Sequence, residues 1–342
     1  MGKKIGYGIL ALLVLLAIWQ YELIYYGFVQ AKGQINIVWN TREVHEVLAD
    51  PSVADTIKQK LILVQEIRRF AIDSLGINES KNYTTLYDQQ ERPLLWVVTG
   101  AYPFELKAKE WRFPLLGSFA YKGFFDLQMA EKEEEELKSQ GYDTEIGTVG
   151  GWSTLGWLRD PVLSGMLKRK EGDLANLIIH ELTHGTLFVR DSTDFNENLA
   201  SFIGDKGAEQ FLIQKFGEKS KEYKSYISGK KDREKFTDHV LRGAEKLDSL
   251  YQSFSPKMDS VQKALSKSEL IGQIVSQTDT IEFNSENRYR EYFNDFIPNN
   301  TFFMSFLRYR AKINIFEEEF QARFNGDLKS YLEYLKSRYP SM

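Results

Sequence analysis

The sequence predicts an α+β fold, predominantly helical, in which a small β-sheet packs on a pair of helices near the middle of the chain and a transmembrane helix precedes them. Three observations carry that expectation. Long stretches place apolar residues three and four apart, the spacing that lines one face of a helix. Short apolar or β-branched runs, above all Leu94 to Thr99, have the length and residue types of strands. The first thirty residues contain an almost unbroken apolar run from Ile5 to Trp19 behind Lys3 and Lys4.

That run approaches the roughly 20 residues a helix needs to cross a bilayer. The lysines would stay on the cytoplasmic side, with Tyr21, Tyr25, Tyr26 and Phe28 at the far interface. A cleavable signal peptide is the rival reading, although no convincing small-residue cleavage site follows. Residues 1–29 are therefore expected to be a membrane anchor or signal, and residues 30–342 a single domain. Within that domain the pattern suggests a helical part over 30–91, a core over 92–215 and a second helical part over 216–342.

Asn40 to Leu75 has helical spacing and is stopped by Gly76. The run at Leu94 to Thr99 reads as a buried strand. A helix is expected from about Asp126 to Gly141, with the glutamates 133–136 on its solvated face. Residues 144–167, "TEIGTVGGWSTLGWLRDPVLSGML", have strand composition leading into a turn that starts with proline. A helix follows with Asp173 as N-cap and an apolar stripe through Leu174, Ile178 and Leu182. From Lys206 onward the chain reads as mostly helical, charged outside and aromatic inside.

Composition narrows the chemistry. Hydrophobic residues at 42% argue for a packed core, and a net charge of -4 without a basic cluster leaves no footprint for a nucleic-acid partner. There is no cysteine, so disulfides, thiolate nucleophiles and sulfur metal ligands are excluded, and so is a lipoprotein anchor. Any metal must be held by nitrogen and oxygen.

Only four histidines occur, and two of them stand four apart in "IIHELTHGTLFVRDSTDFNENLASF", residues 178–202. On a helix, positions i and i+4 share a face, so His180 and His184 can address one ion, and Glu181 beside them can reach a water at that ion. A metal in such a site brings its water to a pKa of about 7. The neighbouring carboxylate can then take the proton of the attacking water. Glu197, thirteen residues after His184 at the start of a further helix, is the expected third ligand. Asp191 and Asp194, in the turn around residues 190–194, compete for that role. His45 and His239 read as ordinary helix residues.

The stretches "IRRFAIDSLGI", "WRFPLLGSFAYKGFFD", "STLGWLRDPVLSGML" and the histidine block resemble those of a family of predicted bacterial aminopeptidases that carry an amino-terminal membrane signal and a HExxH zinc motif. The resemblance implies a zincin-like core of the glutamate-ligand type, Zn2+ as cofactor and a peptide as substrate. It implies His180, His184 and Glu197 as ligands and Glu181 as the catalytic group. With the apolar run and its lysines, the expectation is single-pass attachment to the bacterial cytoplasmic membrane with the catalytic part facing outward. An endopeptidase acting on envelope proteins and a non-catalytic anchored scaffold are the alternatives. Arg112 and Ser118 stand where relatives have cysteine, and Trp152 stands where they often have tyrosine. By fold analogy, "GGWSTLGW" would be the edge strand that pairs with substrate. Tyr121, Tyr309 and His239 are all open as transition-state stabilisers.

Overall fold

The computed structural model describes residues 7, 20–113, 117–151, 159–190, 192–284, 289, 291–294, 296–310 and 313–339. Helix α1 spans Tyr21–Trp39. It is followed by β1 (Thr41–Glu43), α2 (Val44–Ala49) and α3 (Asp55–Leu75). The strand β2 (Thr85–Tyr87) precedes β3 (Trp96–Ala101), the hairpin β4 (Trp111–Phe113) with β5 (Gly117–Phe119), and β6 (Tyr121–Phe124). Helix α4 (Leu127–Ser139), β7 (Asp143–Thr148) and the short β8 (Val162–Leu163) lead into α5 (Glu171–His184) and α6 (Thr193–Phe216). The chain closes with α7 (Lys221–Gln252), α8 (Ser260–Gln277), α9 (Asn300–Arg310), α10 (Ile313–Phe324) and α11 (Leu328–Arg338). The fold is thus α+β and predominantly helical, with small sheets.

The membrane anchor requires correction. Among the described residues no helix is long and apolar enough to cross a membrane. The apolar run that suggested one lies, apart from Tyr7, outside the described residues. The aromatic border beyond it is partly a packing face of α1. Tyr26 lies edge-on to Phe124 and stacks on Phe113, and its hydroxyl donates to the Gly123 carbonyl at 2.8 Å. Gln30 donates to the same carbonyl at 2.6 Å, and Ile37 is buried in the main core. With Glu22, Gln30, Lys32, Gln34 and Asn36 on it, α1 is too polar to replace the expected span. Membrane attachment, single-pass topology and an outward-facing location are accordingly not supported.

Local signals account for most boundaries. Gly76 ends α3 in the left-handed region at φ 76°, where a side chain would be strained. Asp126 caps α4 by accepting from Met129 N at 3.2 Å. Two expectations shift. The stretch from Asn40 to Leu75 is interrupted: residues 41–43 pair with β2, and the chain turns at Asp50 and Pro51 before α3 begins. Helix α5 starts at Glu171, which puts Asp173 in its first turn, where a carboxylate meets the positive end of the helix dipole, and not at the cap. The glutamate run is also less solvated than expected. Glu133 accepts from Trp111 Nε1 and Lys122 Nζ, both at 2.6 Å, and Glu134 accepts from Thr144 Oγ1.

The central sheet has strand order β6-β3-β7, antiparallel throughout, with Val98 opposite Lys122 on one side and Ile146 on the other. A second sheet, β1-β2-β8, ties the amino-terminal part to the segment entering α5. In the hairpin β4–β5, Arg112 and Ser118 face one another, so the two positions singled out by the resemblance are direct cross-strand neighbours. Burial forms three clusters. The main one joins α3, α5, α6, α10 and α11, an aromatic one joins α7, α8 and α9, and a small one lies between the central sheet and α4.

Candidate metal centre

Helix α5 presents His180 and His184 one turn apart, and α6 runs back along it. Two features set how closely they pair. A Cβ on Gly204 would lie 3.0 Å from the Asn176 carbonyl oxygen and 3.2 Å from His180 Cβ, so glycine gives that approach room that a side chain would crowd. The turn between the helices is closed by Asn196, whose side chain accepts from Val189 N and donates to Val189 O, both at 2.8 Å. Glu197 is the next residue and points back at the histidines.

His180 Nε2 and His184 Nε2 are 3.2 Å apart. Glu197 Oε2 is 3.6 Å from the first, and Oε1 is 3.6 Å from the second. Ligands bound at ~2.1 Å with tetrahedral angles stand ~3.4 Å from one another, so these separations, the last two made by different oxygens of one carboxylate, suit three ligands around one zinc ion. Among the described residues this is the one group of His, Cys, Asp and Glu able to hold an ion. Asp194 is exposed in the first turn of α6 and does not join it; Asp191 lies outside the described residues. Helix α6 begins four residues before Glu197, which therefore sits in its second turn, where the direction of its side chain is fixed.

The electrostatics suit a cation. Burial and the neighbouring His180 push His184 down to about 4, leaving a neutral imidazole with a lone pair to offer. His180 is lowered by burial but raised further by Glu197, Glu181 and Asp205, so its net shift is upward. The carboxylates around His180 thus favour positive charge at this point of the site. His184 Nδ1 is buried with no hydrogen-bond partner.

Glu181 lies on the adjoining face of α5. Burial raises its carboxyl to about 7, reinforced by the charges of Glu197 and Asp160 and opposed by His180. Sequence reasoning missed what surrounds it. Asp160 and Tyr83 are almost fully buried, and the charges of Glu181 and Asp160 add to burial in pushing the Tyr83 phenol far up. Asp160 and Asn82 bind each other twice at 3.1 Å. Tyr83 adopts φ 61°, unusual for a bulky residue and the one local sign that its loop is held in place. Neither residue carries a motif, because contacts 78 positions apart have no local signature.

The proposed stabilisers divide. His239 is buried in the aromatic cluster and bonds Ile274 O at 2.8 Å, away from the histidine pair. Tyr121 lies on β6, with β3 between it and β7, and packs on Phe119. The side chain of Tyr309 lies outside the described residues, as does nearly all of "GGWSTLGW". His45 is exposed on α2.

No curated protein and no solved structure matches the chain. A family model described as "Putative aminopeptidase" matches residues 25–338. Together with a His-His-Glu group of zinc geometry, that match makes the protein a zinc metallopeptidase. The family resemblance holds without the membrane association first attached to it, and the chain belongs to this aminopeptidase family.

Proposed function

We propose that His180, His184 and Glu197 are the zinc ligands of a peptidase whose general base is Glu181, and that its substrates are peptides cleaved at the amino end. When bound, zinc acidifies a water and polarises the carbonyl under attack. Glu181 removes the proton from the attacking water at a carboxylate oxygen and delivers it to the departing amine. Burial raises that carboxyl above the ordinary range among the protein groups alone, which makes it a stronger proton acceptor than an exposed glutamate. The far end of the outer strand β7, beyond the part covered by the start of α9, suits an extended substrate. β7 is the last strand in the order β6-β3-β7, and the chain leaving it passes directly over Glu181. A peptide adding to that edge would carry its backbone toward the base.

The observation that carries this reading is the convergence of the three ligand residues beside a partly buried glutamate. It is tested by zinc analysis together with cleavage of a peptide library, free or blocked at the amino end. Wild-type protein should cleave the free peptides in a zinc-dependent way. Glu181→Gln should keep the metal and lose about 10²- to 10⁴-fold in turnover. Undiminished turnover in that variant would remove Glu181 from the role, and equal cleavage of blocked peptides would make the enzyme an endopeptidase.

A further inference from the structure

The segment that leaves β7 ends in Gly150 and Gly151, and the two glycines face different surroundings. A Cβ on Gly150 would lie 2.5 Å from Arg169 Nη2, the free end of a long side chain, with the next atom at 3.8 Å. A Cβ on Gly151 would collide with Glu181 Oε1 and lie 3.2 Å from both Glu181 Cδ and Leu177 Cδ1. The main chain at Gly151 therefore rests directly on the carboxylate.

We propose that Gly151 is a positioning residue for the reaction: its missing side chain sets how closely the backbone leaving β7 lies on Glu181, and so fixes the carboxylate against the substrate. The proposal rests on the reading of Glu181 as base. The space around that carboxylate is restricted. Leu177 fills the space one turn back on α5, at contact distance from the same Cβ. Tyr83 and Asp160 are buried, and the charge of Asp160 acts on Glu181. An added methyl must then either rotate the carboxylate or lift the strand exit. Both change the distance between base and attacked carbonyl, while His180, His184 and Glu197 stay where they are.

The test compares wild type, Gly150→Ala and Gly151→Ala in zinc content, kcat and KM on one peptide that wild type cleaves. Misplacing a reacting group by about 1 Å can cost about 100-fold, so Gly151→Ala should lose about that factor in kcat, with KM within about 3-fold and full zinc content. Gly150→Ala should stay within about 2-fold of wild type. The Gly151→Ala and Glu181→Asp changes should also be non-additive, because a shorter acid is relieved of the crowding. A Gly151→Ala enzyme with kcat within about 3-fold of wild type overturns the proposal. So does activity lost only in proportion to zinc. If the methyl weakens the fold, the comparison is repeated in a Leu177→Ala background, which frees adjoining volume. A protein that still does not fold there overturns it too, because Gly151 would then serve the fold and not the base. Failure of the underlying reading looks different, since Glu181→Gln would then cleave as well as wild type.

Discussion

Asn196 and Val189 bind each other twice, side-chain amide to main-chain amide, at 2.8 Å in both directions. The pair closes the turn from α5 to α6 one residue before Glu197. Removing it in Asn196→Ala leaves a half-buried N–H and C=O without that partner and should cost about 1 kcal/mol, measured by urea denaturation. Because the turn also aims Glu197, zinc affinity should fall by about 10- to 100-fold in a chelator competition. An unchanged affinity would mean that helix packing alone aims the carboxylate.

Each of the three converging side chains should matter more to the metal than any supporting group does. Glu197→Gln and His184→Ala should each lose more than the about 100-fold expected for a supporting partner. Zinc at 100 times its Kd stabilises a protein by about 2.7 kcal/mol. Thermal denaturation should therefore show a zinc-dependent upward shift in wild type and Glu181→Gln that is absent in His184→Ala. A shift that survives in His184→Ala would place the ion elsewhere.

The joint between the central sheet and the aromatic helices is polar. Lys267, on α8, donates to Asp143, at the start of β7, and to Pro103 O at 2.9 Å, while Asn300 N donates to the same Asp143 oxygen at 2.8 Å. Both charged side chains are largely buried. Lys267→Met strands the carboxylate and should cost about 3–5 kcal/mol in denaturant unfolding. A loss below about 1 kcal/mol would show that Asn300 alone satisfies Asp143.

Acid stability should depend on Lys60. Burial pushes the Glu171 carboxyl up, but the 2.8 Å bond from Lys60 Nζ and the backbone at the start of α5 hold it below its ordinary value. A carboxyl depressed by folding adds stability above its unfolded pKa of about 4.3, and that stability is lost as pH falls through the lower folded value. Wild type and Lys60→Met should therefore differ in Tm near neutrality and converge in acid. A gap that widens on acidification would reverse the assigned sign.

The metal helix was legible in the residues alone. Four-residue spacing on a helix is a local rule, so His180 and His184 had to share a face, and Glu181 had to stand beside it. Helix ends at Gly76 and Asp126 were equally legible, because a left-handed glycine and a side-chain cap act within a few residues. The sequence also suggested Glu197, but only through an interval that allows the chain to return. Its convergence with the histidines was decided by Gly204, which lets α6 approach α5, and by the Asn196 clasp. The setting of Glu181 among Tyr83, Asp160 and Gly151 was decided by tertiary structure alone, because those residues come from three separate segments. The aromatic border is the opposite lesson: beside an apolar run Tyr26 suggested a membrane interface, whereas its packing on Phe113 and Phe124 and its bond to Gly123 come from segments that no local window contains.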